Sequence, residues 1–139
     1  MAKLELNSLK KAVSALKGVL GKSDDAELMR SLDEITRNAI RSGAIQHFEF
    51  TWELSWKFIK RWLEINRTPT AGVTRRELFR LAAENRLIVD VDAWVRHSDA
   101  RNLTSHTYDL EVAERVYHAA HEFSRDAQRL LDALEARND

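Results

Sequence analysis

Residues 44–66 read AIQHFEFTWELSWKFIKRWLEIN and constrain the architecture more than any other part of the chain. At 100° per residue, five of its six charged positions, all but Arg61, fall within about 80° of one another: Glu49, Glu53, Lys57, Lys60 and Glu64. Most other positions in the middle of the segment are apolar, and many are aromatic. A helix with so narrow a polar stripe must be covered on several sides. We therefore predict that this segment is the central helix of the fold. Apolar side chains around most of its circumference also favour a subunit interface on this helix. Aromatic residues can also stack nucleic-acid bases, but core packing is favoured because these extend around most of the helix.

The flanking segments repeat the helical pattern. Apolar residues recur at three- and four-residue steps on either side of the central segment, and several acidic or hydroxyl residues are placed to cap helix starts. Gly43 is a possible break or kink, and residues 68–72 (TPTAG) form a loop. We predict helices over about 3–20, from a capping box at Asp24 and Glu27 through Ala39, over about 74–85, from Asp90 to about Leu103, and over about 110–136. The expected fold is all-α, an up-and-down bundle of about five or six helices in a single domain, 1–139.

Composition excludes several classes of protein. The chain has 139 residues, 4 Gly, 1 Pro and no Cys, so disulfides and thiolate metal sites are excluded. Its 22 basic and 22 acidic residues cancel, so overall charge does not argue for nucleic-acid binding. The N-terminal residues mix lysine with apolar side chains and contain no long apolar run, so we predict neither a signal peptide nor a membrane span. A cytoplasmic location suits this composition.

Residues 99–109 (DARNLTSHTYD) are mostly polar and join two helices with apolar faces. If the helix continued to His106, then Asp99, Asn102 and His106 would share one face, since seven steps leave an offset of about 20°. Asp99 or Asn102 could then orient the imidazole. Arg101 lies on an adjacent face, and its long side chain could reach the same cleft.

An imidazole and a guanidinium suit metal-independent cleavage of RNA. His106 could take the proton from the ribose 2′-OH or deliver one to the leaving oxygen, because its ordinary pKa lies near neutrality. Arg101 could offset the charge that builds up at phosphorus. DNA lacks the 2′-OH, so the mechanism selects RNA. The spacing alone has low specificity; the structural alternative is a surface arginine and a histidine that caps a helix end.

The same residues carry a resemblance to a known family. RNLTSHTY, residues 101–108, resembles the signature of HEPN-domain proteins: Arg, a polar residue that is often Asn, three more residues, then His. Tyr108, two residues after the histidine, resembles the HepT branch, toxins encoded beside a minimal nucleotidyltransferase. IQHFEFTWELSWKFIKRWLE, residues 45–64, resembles the long central helix of that branch. The resemblance covers nearly the whole chain.

That resemblance implies a HEPN-like fold and a ribonuclease site at a homodimer cleft. Arg101, Asn102 and His106 are then the catalytic residues, with Asp99 in support. Tyr108 matches the tyrosine to which the nucleotidyltransferase partner attaches AMP. Each AMP would add a bulky anion beside a site built to hold phosphate. The implied partners are RNA, a second copy of the chain and a minimal nucleotidyltransferase that acts as antitoxin.

Two alternatives to the nuclease remain open. The chain could be a non-catalytic subunit that presents a substrate or nucleotide to the transferase, or it could simply accept AMP groups on Tyr108. The alternative to modification of Tyr108 is a half-buried side chain that packs at the start of the last helix. We expect no cofactor and no metal. His118 and His121 have a spacing that can bind metal, but no third ligand is evident. His97 shows no evident site.

Overall fold

The computed structural model describes residues 4–138, and over that range it contains helices and no strand. The helices are α1 (Asn7–Asp24), α2 (Ala26–Ser31), α3 (Glu34–Ile65), α4 (Arg75–Glu84), α5 (Val91–Asn102) and α6 (Leu110–Ala136), with a 3-10 turn at Leu103–His106 between α5 and α6. The all-α bundle is confirmed. The first helix was expected from residue 3, which lies outside the described residues. No helix in 4–138 is both long and apolar enough to cross a membrane.

The predicted central helix is α3, which packs against α1, α4, α5 and α6. It is longer than expected, because Gly43 does not interrupt it. The break falls earlier, at Leu32 and Asp33, where the Asp33 carboxylate accepts a hydrogen bond from the Thr36 backbone at 2.7 Å and starts α3. On the other side of the break, the Arg37 guanidinium donates to the Leu32 carbonyl, which the helix end leaves free.

The predicted capping box at Asp24 is wrong by one residue. Asp25 is the cap of α2, and its carboxylate accepts from the Leu28 backbone at 3.0 Å. Asp24 ends α1 instead, where its carboxylate lies 2.8 Å from His121 Nε2. The two adjacent aspartates thus serve different contacts, Asp24 with α6 and Asp25 with the start of α2.

One aromatic cluster joins four helices at the centre of the core. Trp52 of α3, Phe79 of α4, Trp94 of α5 and Phe123 of α6 are each almost fully buried. Their ring centroids lie 5.7 to 6.0 Å apart, from Trp52–Phe79 to Trp52–Phe123. Aromatic pairs at these separations contribute more than their buried area alone. The cluster fixes α5, and with it the residues that follow α5, against the rest of the bundle.

Two helices end in the same hydrogen-bonded motif, with arginine in the left-handed position. At the end of α3, Arg67 has φ 64° and the Thr68 N–H donates to the Leu63 carbonyl at 2.8 Å. At the end of α4, Arg86 has φ 61° and the Leu87 N–H donates to the Ala82 carbonyl at 2.9 Å. This is the Schellman arrangement, in which glycine usually occupies the left-handed residue.

Candidate active site

The polar segment 99–109 turns the chain from α5 into α6. The Asp109 carboxylate accepts hydrogen bonds from the backbone of Glu111 at 2.9 Å and of Val112 at 3.4 Å, which starts α6 as predicted. Between the helices the chain tightens into the 3-10 turn, and the Thr104 hydroxyl donates to the Arg101 carbonyl at 2.8 Å. The motif therefore lies on a short, hydrogen-bonded corner.

The 3-10 turn corrects one expectation from the sequence. The α-helix ends at Asn102, so the α-helical continuation needed to align Asp99, Asn102 and His106 on one face does not exist. Asp99 and Asn102 are exposed, and neither hydrogen-bonds His106 among the described residues. Asp99 thus has no contact here through which it would orient the imidazole.

Arg101 is half-buried and lies against α3. Its Nη1 donates to the Thr104 hydroxyl at 2.8 Å. Its Nη2 lies 3.7 Å from Glu49 Oε2, and its Nε lies 3.6 Å from Glu53 Oε1. Nε is buried and has no acceptor within hydrogen-bonding distance. Two carboxylates one turn apart on α3 therefore hold the guanidinium in place at ion-pair distance while about a third of the side chain stays open to solvent.

His106 and Tyr108 form the exposed half of the motif. Their rings meet edge to face, with centroids 6.1 Å apart. Tyr108 is 84% exposed, so its phenol is accessible to another molecule. Among the described residues, no hydrogen bond or ion pair joins His106 to Arg101. The structure brings His106 together with Tyr108, and Arg101 together with Thr104, Glu49 and Glu53.

Neighbours of both halves of the motif line one solvent-open groove of about 500 Å³ between α3 and the start of α6, although Arg101, His106 and Tyr108 are not themselves among its lining residues. Glu49, which contacts Arg101, lines one side, and Thr107, which lies between His106 and Tyr108, lines the other. Leu110 also lines the groove and is 82% exposed, unusual for a leucine. The groove is therefore polar where it meets the motif and apolar where α6 begins.

His97, to which the sequence assigned no site, is buried one turn before Arg101 on α5. Its Nε2 lies 2.6 Å from Asp126 Oδ2 of α6, and its ring packs edge to face on Trp94 and Phe123. Partial burial raises the pKa of Asp126, but the hydrogen bond and the charge of His97 outweigh it and hold that pKa below its ordinary value of 3.8. The pair ties α5 to α6 beside the motif.

One group of possible metal ligands lies where α5 meets α6. His97, Glu122 and Asp126 have ligand atoms within 4.8 Å of one another. Each already has a partner, because Asp126 contacts His97 and Glu122 lies 2.7 Å from Arg96. His118 and His121 face different carboxylates, at 3.9 Å and 2.8 Å respectively, so they do not converge.

A family described as nucleotidyltransferase substrate binding protein like matches residues 4–136, nearly the whole chain. The chain belongs to this family. A relative from Haemophilus influenzae named probable ribonuclease HepT is 37% identical, over 98% of this chain and 95% of the relative. The predicted membership of the HepT and nucleotidyltransferase substrate-binding family is thereby confirmed.

Two solved structures of other proteins are similar to this family member. One, from Haemophilus influenzae, is described as the fold of a substrate binding domain of a nucleotidyltransferase. It is 35% identical, with a TM-score of 0.89, and the match covers 94% of this chain and 99% of that one. The other, from Thermus thermophilus, is 26% identical with a TM-score of 0.72, over 91% and 98% of the two chains. The fold of the family is therefore the bundle described above.

Proposed function

We propose that the protein is a metal-independent endoribonuclease, the toxin of a HEPN and minimal-nucleotidyltransferase pair. The observation that carries the proposal is the solvent-open groove beside the motif: the Arg101 guanidinium lies 3.7 Å from Glu49 of one wall, and the exposed His106 directly precedes Thr107 of the other. The relative named probable ribonuclease HepT supports the same activity. A cytoplasmic location follows from a cellular RNA substrate.

In the proposed mechanism, a phosphodiester lies in the groove beside Arg101. His106 takes the proton from the ribose 2′-OH, and the alkoxide attacks the adjacent phosphorus and displaces the 5′-oxygen, which takes up a proton. Arg101 stabilises the extra negative charge at phosphorus, because its guanidinium is already oriented by Glu49 and Glu53. Asn102, exposed at the end of α5, supplies an amide that can donate to a phosphate oxygen.

The proposal includes a homodimer in which two motifs face each other. The isolated chain joins Arg101 to His106 by no described contact, so a second copy would supply the opposing imidazole. Leu110 and Ile35 are each more than 80% exposed, and large apolar side chains in that state favour burial against a partner. Leu110 lines the groove, so a second chain that covered Leu110 would narrow the opening of the candidate active site.

Control by the transferase would act through Tyr108. Its phenol oxygen would attack the α-phosphorus of ATP, releasing pyrophosphate and a proton and leaving AMP on the tyrosine. The product carries a negative phosphodiester close to the His106 ring, 6.1 Å from the tyrosine ring. Charge and bulk would both oppose entry of RNA.

Cleavage of RNA in the presence of a chelator tests the nuclease. We expect wild type to cleave, and Arg101→Ala and His106→Ala each to lose at least about a hundredfold in rate, the range typical of general acid–base groups. His118→Ala, which changes an exposed histidine on α6, is the matched control and should cleave normally. Equal activity in all four proteins would refute the site.

Mass spectrometry after incubation with the transferase and ATP tests the modification. Wild type should gain the mass of AMP and lose nuclease activity, whereas Tyr108→Phe should do neither. AMP added equally to both proteins would exclude Tyr108 as the acceptor.

A second candidate function is a non-catalytic subunit that binds a substrate or nucleotide for the transferase. It is favoured by the solved relative described as a substrate binding domain and by polar side chains along the groove, including Arg41, Asn38 and Gln46. It predicts tight association with the transferase, no cleavage of RNA, and association unchanged by His106→Ala.

A further inference from the structure

The charged stripe of α3 changes sign along its length. Its first two members, Glu49 and Glu53, face Arg101 of α5. Lys57 and Lys60 follow one and two turns later on the exposed side. Neither lysine forms a salt bridge in the part of the chain that the structure describes, and the same holds for Arg61 of α3. These three cations therefore form a cluster without a salt bridge, and Glu64, the last member of the stripe, is the next acid after them along the helix.

Trp56 lies among these cations and is only partly buried. Its indole Nε1 donates to Glu53 Oε2 at 3.2 Å. The Cζ atom of Arg75, at the start of α4, lies over the indole at 4.1 Å from the ring centroid, and Lys57 Nζ lies 5.8 Å from the centroid. Burial lowers the pKa of Arg75, and the charge of Glu53 partly offsets this effect. The guanidinium is thus partly desolvated against an aromatic face.

Two recesses adjoin at Trp56 and Lys60. The larger, about 370 Å³, has Leu54 and Phe58 among its apolar residues and Lys57, Lys60 and Arg61 among its cations. The smaller, about 90 Å³, runs from Trp56 and Lys60 to Arg75 and the start of α4. One carboxylate, Glu64, borders the larger recess, where it accepts a hydrogen bond from Thr70 at 2.8 Å. Cations outnumber this acid, and an aromatic side chain stands between them.

We propose that the Trp56 surface, formed by Trp56, Lys57, Lys60, Arg61 and Arg75, binds single-stranded RNA next to the cleavage site. Bases stack on Trp56 or on the guanidinium of Arg75, while the lysines and Arg61 contact phosphates. The inference rests on the proposed function, because that function supplies RNA as the ligand. An RNA strand fits this surface better than a protein does, since cations without a salt bridge surround a partly exposed aromatic side chain.

Glu53 connects the surface to the candidate active site. It contacts Arg101 Nε on one side and Trp56 Nε1 on the other. Lys60 lies seven residues further along the same helix, which is about 10 Å at 1.5 Å per residue. A strand whose scissile phosphate lies beside Arg101 can therefore continue along α3 onto Trp56 and the lysines without leaving the protein.

Fluorescence anisotropy with a labelled single-stranded RNA tests the surface in the His106→Ala background, which should leave the RNA intact. We expect Lys57→Gln/Lys60→Gln to weaken binding and to reduce the slope of log K against log salt concentration by about 1.4, or about 0.7 for each lost phosphate contact. Arg75→Gln and Trp56→Ala should each weaken binding at least about fivefold, the lower end for a lost base stack.

The matched control is Lys22→Gln/Arg125→Gln, which removes two exposed cations elsewhere and should change the slope little. Circular dichroism checks that every variant folds; if Trp56→Ala does not, Arg75→Gln and the double lysine variant carry the test. Equal slopes for the two double variants, or no RNA binding at all, would overturn the proposal.

Loss of association with the transferase or with a second copy, while RNA binding is unchanged, would also overturn it and assign the surface to a protein partner. The two proposals fail separately. A wild-type protein that binds RNA through this surface but does not cleave it refutes only the nuclease. One that cleaves RNA with binding unaffected by these variants refutes only the surface.

Discussion

Replacement of Asp126 by alanine should destabilise the protein by about 2–3 kcal/mol, although Asp126 lies in no proposed catalytic position. The reason is His97, whose Nε2 lies 2.6 Å from the Asp126 carboxylate. His97 is only 1% exposed, and its ring is held against Trp94 and Phe123, so the nitrogen cannot turn to water. A buried polar group left without its partner costs about 1–3 kcal/mol, and the lost charge-assisted hydrogen bond adds to this.

The effect should depend on pH in a defined direction. The pKa of Asp126 is lower in the folded protein than its ordinary value of 3.8. The carboxylate therefore stabilises the fold fully above that ordinary value, and the stabilisation is lost as the pH falls through the lower, folded-state pKa. The difference in unfolding free energy between wild type and Asp126→Ala should therefore shrink as the pH falls below about 3.8.

Urea unfolding followed by circular dichroism, at one protein concentration and between pH 7 and pH 3, measures these differences. In a His97→Leu background, Asp126→Ala should cost at least about 1 kcal/mol less, because no imidazole is left unpaired. Glu135→Ala, an exposed change on the same helix, should shift stability by no more than about 0.5 kcal/mol. An equal cost of Asp126→Ala in both backgrounds would refute the reasoning.

The helix ends and the contacts of Arg101 offer further measurable changes. Asp109→Ala should reduce the free energy of unfolding by about 1 kcal/mol in urea, because two backbone N–H groups at the start of α6 lose their acceptor. Arg67→Gly and Arg86→Gly should each raise thermal stability, by about 0.5–1 kcal/mol, because both residues have positive φ; no gain in either would contradict this. Glu53→Gln should lower kcat for RNA cleavage about tenfold, because it loosens Arg101. KM should not rise, because the substitution also removes a negative charge beside the phosphate site. A rise in KM with unchanged kcat would contradict a positioning role.

The helices could be predicted from the sequence because apolar residues repeat with a single period almost throughout. The exceptions depend on long-range contacts. Glycine has a low helix propensity, so the sequence indicated a break at Gly43. The break lies instead at Leu32 and Asp33, where the Arg37 side chain donates a hydrogen bond to the Leu32 carbonyl. Arginine rather than glycine stands at the left-handed ends of α3 and α4, so the usual residue signal for such an end is absent.

The candidate site was predictable in its residue types but not in its contacts. Arg101 and His106 stand out by motif, but the structure joins them by no contact among the described residues, and their convergence on one phosphodiester stays a prediction. Glu49 and Glu53 were visible only as part of a polar stripe, since nothing local shows that α5 brings Arg101 to them. The prediction that Asp99 shares a helix face with His106 was wrong because a 3-10 turn replaces the α-helix after Asn102. The two kinds of helix differ by one residue in the spacing of their backbone hydrogen bonds.

The aromatic cluster at the core also equips the protein with an optical signal of its own. Two indoles, Trp52 and Trp94, lie with ring centroids 5.9 Å apart on different helices, close enough for their transitions to couple. Near-ultraviolet circular dichroism should therefore report the seating of α5, the helix that ends at Arg101, even when total helix content is unchanged. Loosening of that helix by RNA, by a partner or by a substitution could be followed without attaching a dye.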